Sequence, residues 1–211
     1  DTYAYAHEKA LAEKHLREKF DTKTQVVVFR PVAITGPRGR FGRIRFGLQS
    51  ALGGTLKGGF INTTVSLLTI LLPTPSRWVR QFIHEDDVVG AISAFAFSEH
   101  KNSFEIYNLV PPQLIEDVVS RKDMARINKK KVLPLFPWMI RFPFSFFWHI
   151  TRGRVPTAPE VWRFYSYPIL LDGDKLKDLY KCQYSGKEAI EYTDGIYEST
   201  VPVENKNSAV V

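Results

Sequence analysis

Apolar and polar positions alternate with a helical period at the start of the chain. Over residues 5–20, Ala6, Ala10, Leu11, Leu16 and Phe20 fall near one stripe, while Glu8, Glu13, Lys14, Arg17 and Glu18 fall largely opposite. That spacing predicts an amphipathic helix. Residues 24–29 (TQVVVF) are then β-branched and nearly continuous, as in a buried strand of a parallel sheet. Arg30-Pro31 is expected to end that strand, and 35–40 (TGPRGR) reads as a loop. A helix is expected over 44–52 and a glycine-rich connection over 53–59. Residues 60–72 are apolar without a period that separates strand from helix.

Further along, 81–83 (QFI) is a short strand, and Glu85 or Asp86 caps a helix running through Phe97 with Val88, Ala91, Ile92 and Phe95 on one side. Residues 104–109 (FEIYNL) form another strand. Ser120, with Asp123 three residues on, resembles a capping arrangement for a helix over 121–127. Helix alternates with strand through this stretch, so the expected class is α/β with a parallel sheet. No internal repeat or low-complexity tract interrupts it.

The last third breaks the alternation. Residues 132–150 (VLPLFPWMIRFPFSFFWHI) are apolar almost throughout, yet Pro134, Pro137, Pro143 and the central Arg141 argue against a spanning helix. Two readings stay open: a buried lobe of short aromatic-rich helices, or a membrane-surface or substrate-facing segment flanked by Lys129, Lys130, Lys131, Arg152 and Arg154. Asp172-Gly173-Asp174 reads as a turn and helix cap, 185–199 as a final helix, and 201–211 as a short polar tail.

Composition narrows the classes. Of 211 residues, 44% are hydrophobic and 24% charged, which excludes a disordered chain. The single cysteine, Cys182, excludes an internal disulfide framework and a multi-thiolate zinc or iron–sulfur centre, and it fits a reducing, cytoplasmic compartment. Residues 1–9 hold no initiator Met, basic leader or apolar stretch and begin inside a helix, so further residues upstream are expected. Twenty-nine Lys and Arg against 22 Asp and Glu give a formal charge of +7. Nucleotide phosphates would answer that charge as well as nucleic acid or a membrane. The basic run at Arg38, Arg40, Arg43 and Arg45 has no nucleic-acid reading module around it, so no nucleic-acid partner is expected. No metal is expected either. The His84-Glu-Asp-Asp87 cluster reads as the acidic start of a helix, and no His-Glu-x-x-His occurs.

The candidate chemistry begins at Tyr5 and Lys9. Four residues apart on a helix, they share a face one turn apart. An ammonium beside a phenol lowers the phenol's pKa by charge, which suits Tyr5 to exchanging a proton with an alcohol or ketone. The spacing alone fits a solvated helix equally well.

The order of motifs adds to it. Tyr5-x-x-x-Lys9 is followed by Ala10-Leu-Ala-Glu13, by Arg30-Pro31-Val32-Ala33-Ile34-Thr35-Gly36-Pro37, by Arg80-Gln-Phe-Ile-His-Glu-Asp-Asp87, and by Tyr107-Asn108. From Tyr5 to Asn108 this resembles the extended short-chain dehydrogenase/reductases, the NAD-dependent epimerase/dehydratase family. The resemblance implies a partial Rossmann-type parallel sheet plus a mostly helical C-terminal substrate lobe. Residues 1–35 and 81–110 would be the second half of the NAD(P)-binding domain, 36–80 and 111–200 the substrate lobe, and 201–211 a tail. It implies Tyr5 as acid/base, Lys9 as the residue that binds the nicotinamide ribose and tunes Tyr5, and the backbone of Pro31 and Val32 beside the nicotinamide of NAD or NADP. Arg80 would contact a sugar nucleotide's diphosphate. Ala33 stands where sugar-nucleotide epimerases often carry a substrate-touching Asn, so a more hydrophobic alcohol is the other substrate class. The family's glycine-rich phosphate loop, acidic ribose reader and catalytic Ser or Thr precede its Tyr; no G-x-x-G-x-x-G occurs here, so this chain alone should not complete a cofactor site. A homodimer is implied for the full-length protein. The competing reading is a non-catalytic member of the same fold that serves as a structural or membrane-docking protein.

Overall fold

A computed structural model describes residues 4–21, 23–36, 71–75, 78–98, 104–112, 118–127, 131–153 and 158–190. The elements in chain order are α1 (Ala4–Lys19), β1 (Val26–Pro31), β2 (Ala33–Thr35), β3 (Leu71–Pro75), β4 (Val79–Arg80), β5 (Phe82–His84), α2 (Glu85–Ala96), β6 (Phe104–Leu109), β7 (Val119–Ser120), α3 (Arg121–Ile127), β8 (Lys131–Leu135), α4 (Pro137–Ile150), α5 (Val161–Ser166), α6 (Asp174–Lys177) and α7 (Gly186–Ala189). The expectations for 44–52, 53–59, 191–199 and 201–211 lie outside the described residues. Of 60–72, only Leu71 and Leu72 fall within them, at the start of β3.

Three strand pairs are parallel: β1 with β6, β2 with β5, and β3 with β8; β4 pairs antiparallel with β7. Among the described residues α1 precedes β1 and α2 lies between β5 and β6, and three of the four strand pairs are parallel, which is the α/β class expected of the pattern.

The strand ends at Arg30-Pro31, as expected. It pairs with β6 through Pro31, opposite Leu109. Alternate residues of a parallel strand bond to the same neighbour. Since the Val32 N–H donates to the Leu109 carbonyl at 3.2 Å, Pro31 faces the other way and its missing N–H costs this ladder nothing. One residue later the chain changes partner, and Ala33, Ile34 and Thr35 pair with Phe82, Ile83 and His84.

β5 feeds two cores because successive side chains point to opposite faces. Ile83 joins Ala91, Tyr107, Leu109 and Leu176, with Val27, Phe29, Val88 and Phe95 packed against them. Phe82 joins Trp78, Val119, Ala125, Ala189 and Ile190. Val26 to Phe29 are half-buried and not sealed on both faces as the sequence suggested.

Two details of α2 correct the sequence. Its N-cap is His84, whose Nδ1 accepts from the Asp86 N–H at 3.2 Å; Glu85, Asp86 and Asp87 occupy the first turn, where the helix dipole favours them. Its buried stripe is also narrower than expected. Val88, Ala91 and Phe95 face the core, whereas Ile92, a third of a turn from Ala91, is exposed. The cap on α3 is as expected: the Ser120 N–H and hydroxyl donate to Asp123 Oδ2 at 2.8 and 2.7 Å.

Over 132–150, where short helices are one of the two readings, the chain forms the end of β8 and one 14-residue helix, α4. Pro137 stands in its first turn, and Pro143 interrupts its bonding without ending it. Ile140 and Phe144 pack with Val161 of α5, beside Leu135, Ala158 and Trp162. Among the described residues no helix is long and apolar enough to cross a membrane. The tight turn before α6 needs a glycine, since a Cβ on Gly173 would lie 2.4 Å from the Val110 carbonyl oxygen.

Candidate active site

Three side chains of α1 lie on one stripe: Tyr5, Lys9 and Glu13, each one turn below the last. Lys9 Nζ stands 5.5 Å from the centroid of the Tyr5 ring. Glu13 accepts from both arms of the Arg30 guanidinium, from Nε at 2.9 Å and from Nη2 at 2.6 Å. That forked bond is the main cause holding the Glu13 carboxyl below its usual range, with the Arg30 and Arg17 charges adding to it against a small burial penalty. Glu13 is the only half-buried residue between Tyr5 and Lys19, and Tyr5 is 60% exposed.

The contacts of α1 give its direction. Phe20, just past its end, meets Phe104 at the start of β6 with ring centroids 5.3 Å apart, and the Arg17 guanidinium lies 5.2 Å from the same ring. Glu13, a turn earlier, meets Arg30 near the end of β1. The helix therefore runs antiparallel to β1 and β6. At 1.5 Å per residue, Tyr5 projects about 12 Å beyond Glu13, towards the carboxyl ends of these strands.

That end is where the chain changes partner. Val32 is bonded to β6 and Ala33 is already paired with β5, so Pro31, Val32 and Ala33 sit at the divergence of two parallel pairs. In open α/β sheets, such a point at the carboxyl ends of strands is where ligands bind. Pro31 and Ala33 are exposed. Behind them the buried Thr35 hydroxyl, 2.7 Å from the Ala189 carbonyl, ties β2 to α7. Tyr5 and Lys9 thus lie on the part of α1 that runs towards the carboxyl ends of β1 and β6, the ends that Pro31 and Val32 follow.

Arg80 belongs to another neighbourhood. It lies on β4, and its guanidinium donates to the carbonyls of Tyr167, at 2.8 Å, and Phe164, at the end of α5. It also lies against the rings of Trp78 and Phe164. A cation on the last carbonyls of a helix is a favourable cap. The Tyr107-Asn108 motif proves to be an anchor for α6. The Tyr107 hydroxyl donates to Glu105, Lys175 Nζ lies 3.3 Å from the same carboxylate and 4.2 Å from the Tyr107 ring centroid, and Asn108 Nδ2 donates to the Asp172 carbonyl at 2.8 Å. Burial first, and then Glu105, pushes the Tyr107 phenol up to about 12.

The acidic start of α2 is likewise structural. Asp87 is fully buried and accepts from the Tyr180 hydroxyl and the N–H groups of Gln183 and Tyr184. Among the described residues no three His, Cys, Asp or Glu side chains are grouped to hold a metal ion. Burial pushes the Cys182 thiol up to about 12, out of range for a nucleophile at neutral pH.

Sequence reasoning missed one pairing at the site and one anchor of the fold. Glu13 was visible as the third member of the four-residue spacing from Tyr5, but its partner Arg30 was not. Asp87 was grouped with its acidic neighbours, and nothing local separates it from them.

No family model matches the chain, and no curated protein matches it. Solved structures do align. The terminal R domain from the myxalamid PKS-NRPS biosynthetic pathway has a TM-score of 0.56 and 19% identity over 91% of this chain and 48% of that one. Pal from Bacillus thuringiensis has a TM-score of 0.51 and 18% identity over 90% of this chain and 51% of that one. A dTDP-glucose 4,6-dehydratase from Bacillus anthracis in complex with NAD has a TM-score of 0.48 and 13% identity over 92% of this chain and 50% of that one. The chain spans about half the length of these proteins. With the first two it shares a fold, an α/β arrangement of the partial Rossmann type built on short parallel strand pairs.

Proposed function

We propose that this chain carries the proton-transfer part of a nicotinamide-dependent epimerase, dehydratase or dehydrogenase acting on a hydroxyl or keto substrate. The observation that carries the reading is the stripe Tyr5–Lys9–Glu13, clamped through Arg30 to the strand that leads directly into the divergence at Val32. Residues 1–35 and 81–110 are then the cofactor-domain portion, and 36–80 with 111–200 the substrate lobe.

The donor set suits one end of a nicotinamide cofactor. An ammonium and a phenol on one helical face match a ribose with its hydroxyls, and the exposed backbone at Pro31 and Ala33 offers an edge for the nicotinamide. The phosphate end has no counterpart among the described residues. The helix after β5 opens with three carboxylates, which would repel a pyrophosphate. NAD or NADP, when bound, supplies the hydride acceptor and donor.

Within the chain, Tyr5 moves the substrate's alcohol proton. Lys9, whose ammonium stands 5.5 Å from the Tyr5 ring centroid, holds the ribose. Glu13, four residues from Lys9, would compete with Tyr5 for the ammonium, but both its oxygens are held by Arg30. Glu13 and Arg30 are therefore positioning residues, which fix the helix and leave Lys9 directed at Tyr5.

The substrate is a nucleotide sugar or a more hydrophobic alcohol. Two observations favour the alcohol: the Arg80 donors reach the carbonyls of Phe164 and Tyr167, and Ala33 offers no polar side chain at the divergence. The full-length protein would be a homodimer through α1, which sedimentation equilibrium checks. The activity is tested with that full-length protein and NAD(P), following nicotinamide reduction against UDP-sugars and apolar secondary alcohols. Tyr5→Phe is expected to lower kcat by about 10²–10⁴-fold. Undiminished turnover by Tyr5→Phe would overturn the assignment.

A further inference from the structure

α4 is apolar on two opposite faces. One face buries Ile140 and Phe144 against Val161. On the other, Trp138, Met139, Phe142, Phe146 and Ile150 fall within about 120° of arc at 3.6 residues per turn. Trp138, Phe142, Phe146 and Ile150 are 57%, 66%, 59% and 64% exposed, and Phe136, just before the helix, is exposed beside them. A contiguous aromatic patch of this kind marks a surface that is covered in use.

The charge of the sequence that carries the patch identifies what covers it. No Asp or Glu occurs between Asp123 and Glu160, whereas Arg126, Lys129, Lys130, Lys131, Arg141, Arg152 and Arg154 do. Arg141 is exposed on the flank of the stripe next to Trp138. Arg152 is exposed at the far end, in a Schellman turn where the Gly153 N–H donates to the Trp148 carbonyl at 2.8 Å. Its φ of 51° is a conformation normally left to glycine, so a cation is held there against a backbone cost. A second copy of the same face would set cation against cation. An anionic bilayer surface answers both features, with acyl chains for the aromatic stripe and headgroup phosphates for its rim. Fourteen residues make a helix of about 21 Å, too short to cross a hydrocarbon core of about 30 Å but suited to lying in its surface, with Trp138 at the interface it prefers.

We propose that α4 is an interfacial docking helix for anionic phospholipid membranes. The test uses the whole chain with phosphatidylcholine vesicles, with and without phosphatidylserine, in co-sedimentation. Binding is expected to be at least about tenfold stronger with phosphatidylserine and to fall at high salt. The double variant Phe142→Ser/Phe146→Ser should lose binding about tenfold or more while keeping its thermal unfolding midpoint, because both side chains are already in water. Quenching of tryptophan emission by brominated lipid should drop sharply in Trp138→Phe. Equal binding to neutral vesicles, wild-type binding by the double variant, or unchanged quenching in Trp138→Phe would overturn the proposal. So would a dimer of the wild type that the double variant abolishes, which would make the occupant a second copy.

Discussion

The helices α1 and α2 flank the same parallel strands and are held to them by opposite means. α2 is anchored from its first turn. The Asp87 carboxylate, out of water, accepts the Tyr180 hydroxyl at 3.1 Å and the N–H groups of Gln183 and Tyr184 at 2.7 and 3.1 Å. A turn on, Ala91 is buried with Ile83 and Leu109. Among the described residues α1 meets the strands by the Glu13–Arg30 fork and by Arg17 on Phe104, with Phe20, just past its end, on the same ring. α2 thus draws stability from desolvation, and α1 draws position from an ion pair. The proposed proton-transfer residues lie on the second kind of helix, where Tyr5 is 60% exposed.

The largest effect that would test this contrast is expected at Asp87. Asp87→Ala leaves three donors without their acceptor and should cost about 3 kcal/mol or more in denaturant unfolding. A loss below about 1 kcal/mol would erase the difference between the two helices. Next comes alkaline pH. Tyr107 packs in the core under α2, and its phenol is raised from 10.0 to about 12. A raised folded-state pKa gives stability that is complete below pH 10 and lost as pH rises towards 12, a window in which unfolding free energy should fall by up to about 2–3 kcal/mol. Tyr107→Phe should remove that alkaline decline, and a decline unchanged in the variant would assign it elsewhere. The smallest effect belongs to α1. Arg30 is half exposed, so solvent screens the pair, and a double-mutant cycle with Glu13→Gln and Arg30→Gln should give about 0.5–1 kcal/mol. Because the Glu13 pKa is lowered by folding, that coupling is present at neutral pH and lost as pH falls through its depressed value. If Glu13 only positions α1, Glu13→Gln in the full-length protein is expected to lower, without abolishing, the turnover proposed for it.

Legibility in the sequence followed the range of the interactions. β6 and the Ser120–Asp123 cap could be read directly, because alternation and a three-residue cap are settled by neighbours in the chain. The His84 cap could not, since Asp86 and Glu85 are the commoner cap types and only the fold turns an imidazole lone pair onto the Asp86 N–H. The helical length of α4 was hidden by Pro143, which usually ends a helix; packing of Ile140 and Phe144 on α5 sustains it. For the candidate site, the shared face of Tyr5 and Lys9 was legible from helical geometry. The forked partner of Glu13, seventeen residues away, was not.

By itself, then, the sequence determined the α/β class, the positions of α1, β1, β5, α2, β6 and α3, and the pairing of a phenol with an ammonium on one helical face, all set by contacts within about a turn. Tertiary structure alone decided where the charged ends go. Arg30 goes to Glu13, Arg80 to the end of α5 across 84 and 87 residues, and Asp87 to the loop beyond α6 across 93 to 97. The reason is physical. A carboxylate or guanidinium is equally content with water wherever the chain is exposed; its partner is the one the fold brings within reach, held most firmly where packing removes the water, as at Asp87.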